Sequence, residues 1–247
     1  MKLKHHILSL LIALLAITST TFAQEQNKYF TTSDGVRLHY RVSGSGTPLV
    51  IFPGFGQDAT KFEKNYPELD KHFTVYCLDY RGLGLSDTPE YGFHIERFAM
   101  DAKEMIDDAK LKKFYLFGHS MGNTLAWCYF SMFGQDQVLK YILGDEAPCL
   151  ISNPACTENE SYTGSRERRE LFTAFQFIGQ DETNALKKMA MRRLLLDHLA
   201  NDWRDIIPTI HVPTMIIMGG KSHFASQPLW DWLHTNIKGS RLEVMQD

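Results

Sequence analysis

The chain reads as an α/β protein: a mainly parallel eight-stranded sheet with helices on both faces and a helical cap over one edge. Three observations point there. Short apolar runs alternate with helical stretches. Most of those runs are continuously apolar, as expected of strands buried on both faces. One long segment, about 148–207, lacks strand signals and interrupts the series before its last members. A length of 247 residues with 44% apolar side chains suits a single domain with a sizeable core, here 24–247.

The first 23 residues stand apart from that domain. Lys2 and Lys4 precede an apolar run from Ile7 to Ile17, and Thr21-Phe22-Ala23 places small residues at the positions a signal peptidase reads. The run is shorter than the ~20 residues needed to span a bilayer, and polar Gln24-Glu25-Gln26-Asn27 follows at once. A cleaved signal peptide and a secreted or periplasmic product are expected, with no stable membrane anchor. Losing Lys2 and Lys4 carries the formal charge from -3 to -5, which speaks against nucleic-acid partners. Cys77 and Cys128 fall in apolar contexts that suit buried thiols, whereas Cys149 and Cys156 are loop-like and close enough in sequence to pair.

The strands are expected at Tyr29–Thr32, Val36–Val42, Leu49–Phe52, Thr74–Leu78, Phe114–Phe117, Tyr141–Leu143, Thr214–Met218 and Leu242–Met245. Asp34-Gly35 between the first two is a strong hairpin signal, so the sheet begins antiparallel. Ile95, Phe98, Ala99, Ala102, Met105, Ile106 and Ala109 recur at spacings of three and four, which predicts a helix with one stripe on the sheet. Within the cap segment, Leu171, Ala174, Phe175 and Ile178, then Leu186, Ala190, Leu194 and Leu195, carry helical periodicity.

Gly118-His119-Ser120-Met121-Gly122 lies between an apolar strand and the helical stretch Asn123–Met132. A G-x-S-x-G run in that setting is a nucleophile elbow, in which flanking glycines permit a tight turn and a strained serine is lifted clear of the sheet. Serine nucleophiles need an imidazole base, a carboxylate to orient it, and backbone donors for a developing oxyanion.

Together with Pro53-Gly54-Phe55-Gly56 and Asp79-Tyr80-Arg81-Gly82-Leu83-Gly84-Leu85-Ser86, the elbow resembles the motif set of the alpha/beta-hydrolase superfamily from about residue 29 onward. Asp202-Trp203-Arg204-Asp205-Ile206-Ile207-Pro208 and Val212-Pro213-Thr214 are similar to the subgroup labelled cofactor-free haloperoxidases and esterases. The resemblance implies a serine hydrolase of esterase type, acting on a small-molecule acyl substrate without a cofactor. Ser120 would be the nucleophile, and the N–H groups of Phe55 and Met121 the oxyanion donors. Pro53 stands where the family usually has histidine, and Ser222 where it usually has the acid in a G-x-x-D context. The acid is therefore expected at Asp145, with Glu146 as a weaker substitute. The family's base follows the eighth strand, and its final His-bearing loop and last helix are expected to be absent here, truncating the site; His223 is the tempting stand-in. A noncatalytic acyl-ligand-binding protein is the alternative reading. A haloalkane dehalogenase would need aspartate at position 120, and no His/Asp/Glu group has metal-ligand spacing.

Overall fold

The computed structural model describes residues 25–150, 184–222 and 227–246. All eight expected strands form, as β1 Gln26–Thr31, β2 Arg37–Gly44, β3 Thr47–Phe52, β4 Phe73–Asp79, β5 Phe114–His119, β6 Val138–Gly144, β7 Thr214–Gly219 and β8 Arg241–Met245. They join one sheet in the order β1-β2-β4-β3-β5-β6-β7-β8. β1–β2 and β2–β4 are antiparallel and every later pair is parallel, so the carboxyl ends of β3 to β8 share one edge. The hairpin turn closes through Gly35 N–H to Thr32 O at 2.8 Å, with Gly35 at φ 84°.

Five helices are described: α1 Tyr66–Leu69, α2 Ile95–Asp108, α3 Met121–Phe133, α4 Ala185–Ala200 and α5 Gln227–Asn236. The stripe expected on α2 is buried from Ile95 to Ile106, and it also contains Asp101. That aspartate is held there by Arg81, whose Nε and Nη2 each donate to its carboxylate at 2.7 Å. Arg81 also reaches Asp34 in the hairpin turn at 3.0 Å, so a fully buried guanidinium ties the loop after β4 to both. The amino terminus of α2 is capped from a distance, because His94 makes no capping bond and Ile95 N–H donates to Asp197 Oδ2 of α4 at 2.8 Å.

The larger core lies between the sheet and α2, α3 and α4, with Trp127, Tyr80, Phe98 and Phe114 fully buried in it. A smaller cluster around Ile51, Phe62, Tyr66 and Cys77 covers the opposite face at β3 and β4. Further along that face, Tyr115, Phe117, Ile142, Met215 and Ile217 are only half-buried, and two grooves of about 570 and 510 Å³ run over them. The expected cap is described from residue 184, where α4 lies over the loop after β4; Leu171, Ala174, Phe175 and Ile178 fall outside the described residues. Cys77 and Cys128 are buried free thiols, and Cys156 lies outside the described residues, as does the segment 1–24.

The Asp79 to Ser86 motif has a structural explanation. Asp79 Oδ1 accepts Ala59 N–H at 2.8 Å, Oδ2 accepts Leu85 N–H at 2.9 Å, and Oδ2 also meets His39 Nδ1 at 2.8 Å. A Cβ on Gly84 would sit 2.0 Å from Oδ2, so the motif glycine makes room for this carboxylate. Ser86 closes the unit, donating to Asp79 O at 2.6 Å and accepting His39 N–H at 2.8 Å. Removing the carboxylate takes the partner from His39 Nδ1, from the buried Ala59 N–H and from the part-buried Leu85 N–H. We expect Asp79→Ala to lower unfolding stability by about 3–5 kcal/mol, measured by urea denaturation; a loss under ~1 kcal/mol would contradict this role.

Candidate active site

The end of β5 and the start of α3 meet in a turn with no spare volume. Ser120 has φ 51° and ψ -128°, a conformation that L residues with side chains rarely adopt. Its N–H donates to Gly144 O on β6 at 2.8 Å. Asn123 secures the turn from below: its N–H and Nδ2 donate to Ser120 O, Nδ2 also reaches Gly144 O at 2.9 Å, and Oδ1 accepts Tyr141 O–H at 2.7 Å. The flanking glycines are fixed by contact. A Cβ on Gly118 would lie 2.5 Å from Asn123 Oδ1, and one on Gly122 would lie 2.0 Å from Phe52 O at the end of β3.

The loop after β3 runs beside the elbow. Pro53 O accepts Tyr80 O–H at 2.9 Å, and Gln57 Oε1 bridges Gly54 N–H and His119 Nδ1, each at 3.0 Å. His119 is thereby tied to the loop after β3, packs edge-on to Phe62, and is held below its ordinary pKa by burial and then by Lys61. Phe55 is half-buried and Met121 fully buried; neither N–H makes a hydrogen bond to protein among the described residues. At the first turn of α3 such free N–H groups are inherent to helix geometry.

Asp145 follows β6 as Ser120 follows β5, and His119 and Gly144 are register partners, so the two residues sit side by side at the carboxyl edge. Asp145 is also left-handed, at φ 49°, with its N–H on Ile217 O at 2.9 Å. Its Oδ1 is buried without a hydrogen-bond partner, and Oδ2 lies 3.9 Å from the Cβ position of Gly219. The carboxylate thus reaches toward the end of β7, beside the G-x-x-S turn in which Ser222 N–H donates to Gly219 O.

Glu146 does not share this orientation. It is buried, its Oε1 accepts Ala147 N–H at 2.7 Å, and its Oε2 lies 3.7 Å from His198 Nε2 of α4. Burial, reinforced by the charge of Asp145 and opposed by the Ala147 N–H, pushes its carboxyl up to about 8. Burial likewise lowers His198 to about 4. The contact is therefore between two neutral groups near pH 7, and a neutral Glu146 is unsuited to orient an imidazolium.

None of the described histidines stands on Ser120 Oγ. His39 is held by Asp79 and Asn27, His94 by Asp197, His119 by Gln57, His211 by Thr209 O and His234 by Ser240; His72 is exposed beside Glu68, and His198 beside Glu146. His223 lies outside the described residues. Sequence reasoning missed the work of Gln57, Asn123 and His198, each of which joins a residue distant in the chain: His119, Gly144 and Glu146 respectively.

Comparison with known proteins agrees with this geometry. A family model described as alpha/beta hydrolase fold matches residues 47–166. A soluble epoxide hydrolase of Corynebacterium sp. (strain C12) is 36% identical over 118 residues, which are 48% of this chain and 41% of that protein. The chain thus spans less than half the length of that relative. The serine hydrolase BPHL of Homo sapiens is 28% identical over 225 residues, covering 87% of this chain and 77% of that one. An esterase from Exiguobacterium antarcticum superposes with a TM-score of 0.73 at 25% identity, over 90% of this chain and 91% of that structure. Over residues 47–166 the chain matches the alpha/beta-hydrolase family model, and its sheet has the alpha/beta-hydrolase fold.

The steric reading of the elbow is testable. Gly122→Ala must push backbone against backbone, so we expect a stability loss of about 1–3 kcal/mol in denaturant unfolding. A neutral outcome would mean that the approach of β3 to α3 is looser than described.

Proposed function

We propose that this protein is a serine hydrolase that cleaves an ester or similar acyl bond through an acyl-enzyme on Ser120. The observation that carries the reading is the strained Ser120 at the amino terminus of α3, with an unpartnered buried carboxylate oxygen on the neighbouring strand end. In this reading Ser120 Oγ attacks the acyl carbon, and its proton passes to an imidazole oriented by Asp145. The tetrahedral oxyanion accepts the N–H groups of Met121 and Phe55, both free of other partners among the described residues. Collapse expels the alcohol, which takes the proton from the imidazole, and water then releases the acid by the same route. Among residues 1–247 the candidate base is His223, which follows β7 by four residues in the sequence. A similarity to proteins named esterase and serine hydrolase supports acyl chemistry over epoxide opening, as does serine at position 120.

One observation favours the second reading, a noncatalytic acyl-ligand-binding protein: no described imidazole touches Ser120. Labelling by a fluorophosphonate separates the two, because phosphonylation needs an activated serine. We expect wild type to label and Ser120→Ala not to. Asp145→Asn should lower hydrolysis of a short-chain p-nitrophenyl ester by roughly 10²–10⁴ without unfolding the chain. Stoichiometric acyl-ligand binding with neither labelling nor turnover would decide for the binding protein; turnover that survives His223→Ala would move the base elsewhere.

Export is part of the proposal, resting on the charged, apolar and small-residue order of residues 1–23. No helix among the described residues is long and apolar enough to cross a membrane. The exported product is expected to begin at Gln24, as read by intact mass; retention of Met1 in secreted material would sink the idea.

A further inference from the structure

Glu146 and His198 are a buried titratable pair for which the acyl chemistry at Ser120 has no direct use. They join two elements that meet only on folding: the turn that carries Asp145, and the last full turn of α4 in the cap. Both side chains are almost withdrawn from solvent, at 2% and 6% exposed. Among the described residues the buried Nδ1 of His198 has no partner, and Nε2 lies 3.7 Å from Glu146 Oε2, in close polar contact just beyond hydrogen-bond distance. Among the described residues, the other ionisable groups around Glu146 are Asp145 on its own turn and Tyr141 on β6. From the cap, Asp197 faces the other way, toward His94 and Ile95 N–H. The adjoining surfaces of α4 and α5 contribute apolar Leu199 and Leu229, and no described lysine or arginine pairs with Glu146.

We propose that Glu146 and His198 form a proton-held latch that docks α4 onto the acid-bearing turn and loosens when Glu146 ionises, which makes Glu146 a positioning residue for the hydrolysis assigned to Ser120. The last clause rests on that assignment; the latch itself does not. Opening releases one proton from the Glu146 carboxyl to solvent and changes no other bond. An ionised Glu146 would be a second carboxylate directly after Asp145, buried and without a cation, and separation from the cap lets water reach it.

The direction with pH follows from where each group holds its proton. Docked, Glu146 stays protonated to about 8, whereas a solvated glutamate ionises near ~4.3. The docked form therefore carries the extra proton in that window and weakens as pH rises through it. His198 acts oppositely below ~6.5, where the open form gains the proton that the docked ring resists down to about 4. The two slopes cancel at lower pH, and the net loosening falls between ~6.5 and ~8.

Hydrogen exchange of the α4 amides in the full chain tests this. After correction for intrinsic exchange, wild type should open roughly tenfold more per pH unit between 6.5 and 8. Glu146→Gln keeps the shape of the neutral acid and should show no such slope. If the variant is active, its ester-hydrolysis profile should also lack the alkaline fall in kcat expected of wild type near pH 8, with KM little changed. A wild-type exchange rate that ignores pH, or a Glu146→Gln slope equal to that of wild type, overturns the latch. Should Glu146→Gln fold poorly, carbon NMR of the wild-type carboxyl decides: titration near 8 supports the latch and titration below ~6 refutes it. Absence of ester turnover with the exchange slope intact removes the Ser120 assignment and leaves the latch standing.

Discussion

The fold turns on a crossing in which three backbones touch with no side chain between them. The end of β3, the end of β5 and the first turn of α3 approach so closely that a single Cβ on Gly122 would lie 2.0 Å from Phe52 O. That approach forces Ser120 into its left-handed conformation and brings the loop that carries Phe55 beside the free N–H groups of the helix. Asn123 holds the crossing from the core side, with bonds to both Ser120 O and Gly144 O. The strain at Ser120 persists because its neighbours leave no relaxed alternative.

Much of this was legible in the sequence, for a physical reason. Parallel strands covered on both faces must be continuously apolar, and runs such as Phe114–Phe117 and Thr214–Met218 therefore announce themselves. The glycines of the elbow were legible because their steric demand is local. Asp101 was not, since an acidic residue in an apolar stripe makes sense only once Arg81 arrives from a loop twenty residues earlier. Capping of α2 by Asp197 and the contact of Glu146 with His198 were hidden for the same reason: each partner is supplied by the cap, and nothing in local spacing reports it.

The motif after β4 shows how a signature can be read for the wrong property. Asp79, Gly84 and Ser86 belong to the same motif set as the elbow, yet the Asp79 carboxylate binds His39, Ala59 and Leu85, Ser86 bonds Asp79 O and His39 N–H, and Gly84 leaves room for the carboxylate. Their effect on chemistry is indirect. By fixing Ala59, Asp79 pins one end of the segment whose other end carries Phe55, so the loop after β3 is held at Gln57 by His119 and at Ala59 by the sheet.

The hairpin tip at Ser33 to Gly35 has a consequence for anyone who wishes to graft onto this scaffold. Exposed two-strand turns are ordinarily the places where foreign sequence is tolerated. Here Asp34 receives the buried Arg81, and Ser33 donates to Glu104 through both N–H and Oγ, at 2.9 and 2.6 Å. An insertion at this tip would withdraw a counter-charge from a guanidinium that has no access to water.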